Sequence, residues 1–376
     1  MFIILMAHTP GNWFNQWIPA RFGFSDAAEI FVFCSGMASA VAFGRTYDRA
    51  GWALGTARIS YRVWQIYWAH IATFLLTAAM LAAIDSTELF EKSYVGGLNL
   101  WRFFTETPDQ LLGLFSLTYV PNFFDILPMY MVILLMVPIV MALSRIHLSL
   151  VFGFIAFSWI MAQGGILDAV GLERFQVDLR AEPWSDRPWF FNPFGWQLVF
   201  FTGFALMKGW IPAPPVNWML ILLALAILVA CFTVSQVAIR ELEWTWAREW
   251  RSDYRIWITK TDGGILRYIH FLAFAYIGWV VAGPQGRFLR ATGTHIFPRF
   301  WGSFVAQITK VGQQSLAVFL VSIVLSRLGG FAIDQTNDNW DTVLIVNMVG
   351  FALLLATAYL AAWYKSQPWR KVVKTA

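Results

Sequence analysis

Long apolar runs recur from one end of this chain to the other, separated by short polar segments, and they leave it few folds to adopt. Nine such runs lie near 26–44, 59–84, 125–143, 148–166, 193–209, 216–234, 264–283, 312–330 and 341–363. Most approach the roughly 20 residues needed to cross a hydrocarbon core of about 30 Å. Inside lipid a segment must satisfy its own backbone N–H and C=O groups, so each run is expected to be a helix. Only 13% of the residues are charged, against about 25% in a soluble domain. The sequence therefore reads as all-α, a polytopic integral membrane helical bundle. About ten transmembrane helices are expected, the first truncated, since residues 1–8 form only the stub of a further run. That stub lacks a basic leader and a small-residue cleavage site, which separates it from a signal peptide. No period of 20 to 50 residues recurs, so residues 1–376 read as a single domain with long outer loops at 85–124, 167–192 and 235–263.

Charge sets the expected orientation. With the stub running outward from the cytoplasm, the inner segments hold Arg45, Arg49, Arg58, Arg62, Arg145, Lys208, Arg287, Arg290, Arg299, Lys310, Lys365, Arg370, Lys371 and Lys374. Asp48 is the one acid among them. Short inner loops nearly free of acid are the positive-inside pattern, and they put both termini in the cytoplasm. The 21 tryptophans fit aromatic belts at the two interfaces. An alternative use is open to Trp13, Trp17, Trp184 or Trp189, whose indoles could stack on the apolar face of a sugar. "RELEWTWAREW" carries Trp244, Trp246 and Trp250 in the pattern of an interfacial amphipathic helix.

An ionisable side chain at membrane depth is expensive and is a functional candidate by default. His8 in "MFIILMAHTPGN" ends an apolar helix just before Thr9 and Pro10, and a proline disfavours helical geometry in the residue before it. Imidazole can take and return a proton near neutral pH, so His8 reads as a general base or as an inert interfacial histidine. In "FGFSDAAEIFVFCSGM" Asp26 and Glu29 stand three apart at the start of a run. That spacing orients a neighbouring histidine or forms a capping box, and both readings stand. "ARISYRVWQIYWAH" puts Arg58 and Arg62 one helical turn apart, as phosphate-binding donors or as inner-face anchors. His70 reads as a satisfied histidine between helices, and His270 in "LRYIHFLAFAY" as a second candidate to face a cavity. Cys34 and Cys231 lie far apart within apolar runs, which fits neither a disulfide framework nor a cysteine metal site. The chain carries no phosphate-binding glycine loop, HExxH, GxSxG or CxxC pattern, so ATPase, zinc protease and serine hydrolase readings lack support, and no metal ligands are assigned.

"AHTPGN", "FSDAAEIFVFCSG" and "RISYRVWQIYWAH" together resemble the OpgC proteins, succinyltransferases of osmoregulated periplasmic glucans within the acyltransferase-3 group. "IFVFCSGM" looks like that group's "FFVLSGF" segment, and "FDILPMY" and "LRYIHFLAFAY" look like further OpgC segments. The resemblance implies a membrane O-acyltransferase of the bacterial inner membrane, moving a succinyl or similar acyl group from cytoplasmic acyl-CoA to hydroxyls of a periplasmic glucan. It implies a catalytic role for His8, with Glu29 or Asp26 orienting it, and a CoA-binding role for Arg58 and Arg62. His270, Trp13 and Asp125 are carried as substrate-side candidates. No permanently bound cofactor is expected, succinyl-CoA being a substrate. Acyl-CoA, glucan and the lipid bilayer are the expected partners and nucleic acid is not, while the oligomeric state stays open. The competing class is a membrane transporter of an anionic or sugar substrate, which would also line a midplane site with histidine and carboxylates.

The group usually carries an arginine about ten residues before the histidine, and no residue stands there in this sequence. The seven residues preceding His8 rise only about 10 Å at 1.5 Å each, a third of the hydrocarbon core. The natural chain is therefore expected to begin upstream of Met1, with about ten more residues completing the first helix. Reading the codons before Met1 and sequencing the amino terminus of the endogenous protein checks this. In-frame stops, or a fully active mature start at Met1, would refute it.

Overall fold

A computed structural model describes residues 1–292, 295–336 and 339–372. Lys374 and the side chain of Lys371, both expected on the inner face, lie outside the described residues. The longer helices and two shorter ones that matter below are α1 (Phe2–His8), α2 (Ala27–Ser39), α3 (Arg45–Asp85), α4 (Ile126–Leu143), α5 (Leu148–Ala162), α6 (Pro193–Lys208), α7 (Trp218–Thr233), α8 (Thr245–Asp253), α9 (Ile265–Ala282), α10 (Ile296–Gln313), α11 (Ser315–Asp334) and α12 (Trp340–Ser366). Each expected apolar run is helical, and among the described residues the only β pairing is an isolated bridge between Arg180 and Pro188.

Among the described residues six segments are long and apolar enough to cross a membrane: Ala27–Asp85, Ile126–Leu143, Trp218–Arg240, Ile265–Ala282, Ser315–Asp334 and Trp340–Arg370. Two expected runs, 26–44 and 59–84, fall within the first of these, because a π-helical turn at Ala40–Gly44 carries α2 into α3. Gly51 breaks that continuity with φ 81°, a conformation glycine adopts without a side-chain clash. α5 and α6, at 15 and 16 residues, are shorter than the six.

The described chain divides into two compact units, Phe22–Ala275 and Met1–Arg21 with Tyr276–Ala376. In the first, α2 and α6 approach through glycine. A Cβ on Gly36 would lie 2.0 Å from the carbonyl oxygen of Phe200, and one on Gly203 would lie 2.3 Å from that of Phe33. Helices in lipid associate by close packing of small residues, and here the contact is backbone to side-chain-free backbone. α3 packs on α4 with Ile59, Ile66 and Phe74 buried, and the Trp52 indole donates to the Pro138 carbonyl at 2.9 Å, an acceptor near the end of α4. α6 begins at Asn192, whose side chain accepts from the Phe194 amide, with Pro193 as its first residue. His70 corrects an expectation: it is buried in α3, yet neither ring nitrogen has a hydrogen-bond partner.

In the second unit, α1 packs on α11 and α12. Leu5 is buried with Val318, Leu354 and Ala358, and Phe2 meets Phe351 edge-on at 4.9 Å. Gly350 makes room for this helix, since a Cβ there would lie 2.6 Å from Leu5 Cδ2.

The glycine contacts generate a stability prediction. Gly36→Val or Gly203→Val forces α2 and α6 apart and is expected to destabilise the protein by at least the roughly 1–3 kcal/mol typical of overpacking. Thermal unfolding of detergent-purified protein reads this as a lowered midpoint; unchanged midpoints in both variants would show that the helices do not meet there.

Candidate functional site

Within the unit Phe22–Ala275 the start of α2 gathers two carboxylates and two cations, among them the buried Glu29 and Arg267. Asp26 is the N-cap of α2. Its Oδ1 accepts from the Ala28 amide at 2.7 Å, while Glu29 Oε2 accepts from the Asp26 amide at 2.8 Å, so the capping box is formed. The other oxygens face cations. Glu29 Oε1 accepts from Nε and Nη2 of Arg267 at 2.8 and 2.5 Å, and Asp26 Oδ2 pairs with the Lys260 ammonium. Arg267 also stands 3.9 Å from Asp26. Glu29 and Arg267 are both buried, so each charge is tolerated only because the other neutralises it.

One turn along α9 from Arg267, His270 is buried against the chain that leads into α2. Its Nδ1 accepts from the Ser25 amide at 3.2 Å and lies 2.7 Å from Ser25 Oγ. An acceptor for an amide cannot itself carry a proton, so the proton of the neutral ring sits on Nε2. A Cβ on Gly23 would lie 2.1 Å from that Nε2, which makes Gly23 the residue that lets the loop lie over the imidazole.

Other expected residues in this unit have specific neighbours. Arg58 donates to Thr46 Oγ1 at 2.5 Å and lies over the Phe43 ring; Arg62 donates to Gln65 Oε1 at 3.2 Å. Both guanidiniums are hydrogen-bonded at the protein surface rather than buried. Asp125 is buried and accepts from the Phe190 amide at 3.0 Å, tying the 190 loop to the start of α4. Trp189 is buried with its indole donating to the Arg180 carbonyl, and Trp184 lies under the Arg102 guanidinium at 4.4 Å. The buried Trp189 has no face for a sugar to stack on, Trp184 is half-buried, and Trp17 is 71% exposed. In "RELEWTWAREW", Trp244 and Trp250 pack into a buried cluster with Phe24 and Cys231, and Trp246 is exposed. A polar recess of about 390 Å³ is lined by Gln163, Gly164, Arg255, Thr259, Thr261 and Asp262, among others. Burial pushes the Asp262 carboxyl up to about 6, the Asn192 hydrogen bond opposing and the Asp178 charge adding to the rise.

In the other unit the segment from His8 to Asn12 is gripped on several sides. The His8 carbonyl accepts from Arg327 Nη2 at 2.7 Å, and Thr9 Oγ1 donates back to the Leu5 carbonyl. Asn12 and Asn347 exchange amide hydrogen bonds at 3.0 and 3.2 Å. Gly330 lies under Pro10, where a Cβ would come within 2.5 Å of the ring, and Gly11 turns the chain with φ 72°. His8 is thus the last residue of α1 on a backbone that cannot easily shift.

Arg267 and Arg327 escaped the sequence reading, although each is an arginine inside an apolar run and carries the signal of an ionisable group at membrane depth. The partners that explain them, Glu29 and the His8 carbonyl, are 238 and 319 residues away in sequence. Among the described residues no cluster of three or more His, Cys, Asp or Glu is placed to hold a metal ion. Both described cysteines are free.

Apolar helices of spanning length, with Glu29 and Arg267 buried as an ion pair, define a polytopic membrane protein. The family described as OpgC protein matches residues 1–366, and the chain belongs to that family. No curated protein and no solved structure matches the chain. Membership points to a transferase with an acyltransferase-like role in modifying periplasmic glucans, and it does not favour the transporter reading.

The buried pair generates a prediction. Arg267→Met leaves Glu29 charged and unpaired and is expected to destabilise the protein by about 3–5 kcal/mol, whereas Glu29→Gln with Arg267→Met recovers most of the loss. Denaturation midpoints of the wild type, both single variants and the double variant check this. Additive losses would show that the two side chains do not interact.

Proposed function

We propose that this chain is an inner-membrane O-acyltransferase that moves a succinyl or similar acyl group from cytoplasmic acyl-CoA to a hydroxyl of a periplasmic glucan. The family match over residues 1–366 is the observation that carries the reading. In this reading about ten helices cross the bilayer, α5 and α6 among them, with both termini in the cytoplasm.

His8 is the general base. Its imidazole takes the proton of a glucose hydroxyl, the oxygen attacks the thioester carbonyl, and the tetrahedral intermediate collapses with loss of the CoA thiolate, which receives the proton from the imidazolium. The products are the ester and free CoA. The grip of Arg327, Asn347 and Gly330 on residues 8–12 supports the role, because a base acts only where its position is held to a fraction of an ångström. Glu29 or Asp26 is assigned to orient the imidazole, a role in which it exchanges one of its present partners, Arg267 or Lys260. Arg58 and Arg62 hold CoA phosphates; both are exposed enough to exchange Thr46 and Gln65 for a ligand. Trp13, Asp125 and His270 are assigned to the glucan side. Succinyl-CoA is consumed as a substrate rather than held as a cofactor.

Purified protein in lipid nanodiscs, given succinyl-CoA and glucan, is expected to yield glucan ester and free thiol in equal amounts. His8→Ala is expected to lower turnover by about 10²- to 10⁴-fold with expression and insertion intact. Arg58→Ala and Arg62→Ala are expected to raise KM for acyl-CoA about 10- to 150-fold and to leave that for glucan nearly unchanged. Wild-type turnover in His8→Ala refutes the base; movement of glucan or CoA across the bilayer without ester would restore the transporter reading.

A further inference from the structure

Helix α10 is built differently from the spanning helices. Ile296, Phe297, Phe300, Phe304 and Ile308 are between 45% and 87% exposed. At about 100° per residue these five fall within an arc of about 120°. Arg299 and Lys310 fall about 40° to 60° beyond one edge of that arc, with Ser303 about 20° beyond the same edge and Gln307 about 20° inside it. A helix apolar along one side and polar along the other does not suit the hydrocarbon core, where every face meets lipid or protein of the same polarity, but it suits the plane of the interface. α10 is accordingly not among the segments apolar enough to cross.

Its position is fixed at one end. Val311 is buried with Val318, Leu354 and Ala358, and Lys310 lies over the Tyr359 ring, so the carboxy-terminal turn docks on the unit that contains it. The Trp301 indole donates to the Leu289 carbonyl at 3.0 Å and ties the preceding segment to the helix. That segment continues the same surface, with Phe288 and Leu289 exposed and Arg287 lying over Phe288. From Gly283 to Gln314 the chain carries Arg287, Arg290, Arg299 and Lys310 and no acid at all.

We propose that α10 lies in the headgroup layer of a leaflet rich in anionic phospholipid, with its isoleucines and phenylalanines in the acyl region and Arg299, Lys310 and the preceding Arg287 and Arg290 on lipid phosphates. Charge decides between occupants. A second copy of this chain laid on the same face would bring eight like charges together, whereas an anionic leaflet supplies the opposite sign along the whole helix. Phenylalanine and isoleucine have no hydrogen-bonding atoms to offer a polar partner, and the arginines flank them at headgroup height. The inference rests on the membrane character of the chain and not on acyl transfer.

The test places a spin label at residues 296–308 one position at a time, in a Cys34→Ala, Cys231→Ala background, in nanodiscs of mixed phosphatidylcholine and phosphatidylglycerol. Oxygen accessibility is expected to rise and fall with the helical period, high at Phe300→Cys and low at Ala306→Cys, with water-soluble nickel chelate in antiphase. The phosphatidylglycerol enrichment around the purified protein is expected to fall by about fivefold for each charge removed in Arg287→Gln, Arg290→Gln and Arg299→Gln. Arg299→Lys is expected to keep it. Nickel accessibility without period would put the helix in water. Dipolar broadening between labels that vanishes on dilution with unlabelled protein would give the face to a second copy, and unchanged enrichment in the glutamine variants would remove the anionic lipid. Each of these results overturns the proposal.

Discussion

The pair formed by Glu29 and Arg267 holds the larger unit in its arrangement. A carboxylate and a guanidinium out of contact with water are each costly, and neither can be left without the other. Their contact joins the first turn of α2 to the first turn of α9, and the consequences spread from there. Asp26 caps α2 and pairs with Lys260, Ser25 meets His270, and Gly23 lets the loop close over the ring. These polar groups, which a lipid environment would penalise, are thereby gathered at one place and satisfied by one another.

The smaller unit solves a related problem without an ion pair between side chains at the end of α1. The last turn of a helix leaves carbonyl oxygens without partners. At the end of α1 these are met by Thr9 and Arg327, and the reciprocal amide pair of Asn12 and Asn347 closes the turn that follows. Small residues make the fit possible. Gly330 accepts Pro10 and Gly350 accepts Leu5, just as Gly36 and Gly203 let α2 and α6 touch in the other unit. A histidine at the end of such a helix inherits a fixed backbone.

Both solutions depend on the solvent being lipid. In water an exposed ion pair contributes little, and a packed glycine interface competes with hydrophobic burial. In hydrocarbon there is little hydrophobic gain between helices, so close packing and paired polar groups carry the association. The long apolar stretches that face outward from α7 and α12, with Leu222, Leu223, Ile345 and Met348 exposed, belong to the same account.

The sequence by itself determined the medium, the helices and their approximate ends. Apolar run length, proline and the Asp26–Glu29 spacing are local signals, and hydrocarbon permits a run of that length only one backbone conformation. It also marked His8, Asp26, Glu29, Arg58, Arg62 and His270 as chemically unusual for their surroundings. Only the tertiary structure decided which partners they have. Arg267 for Glu29, Lys260 for Asp26, Ser25 for His270 and Arg327 for the His8 carbonyl are contacts made when separate helices pack, and nothing in local spacing encodes them. The same holds for the tryptophans, where identical composition yields a buried Trp189 and an exposed Trp17. A residue's type fixes what it can bond, but which atom it reaches is set by the packing of chain hundreds of residues away.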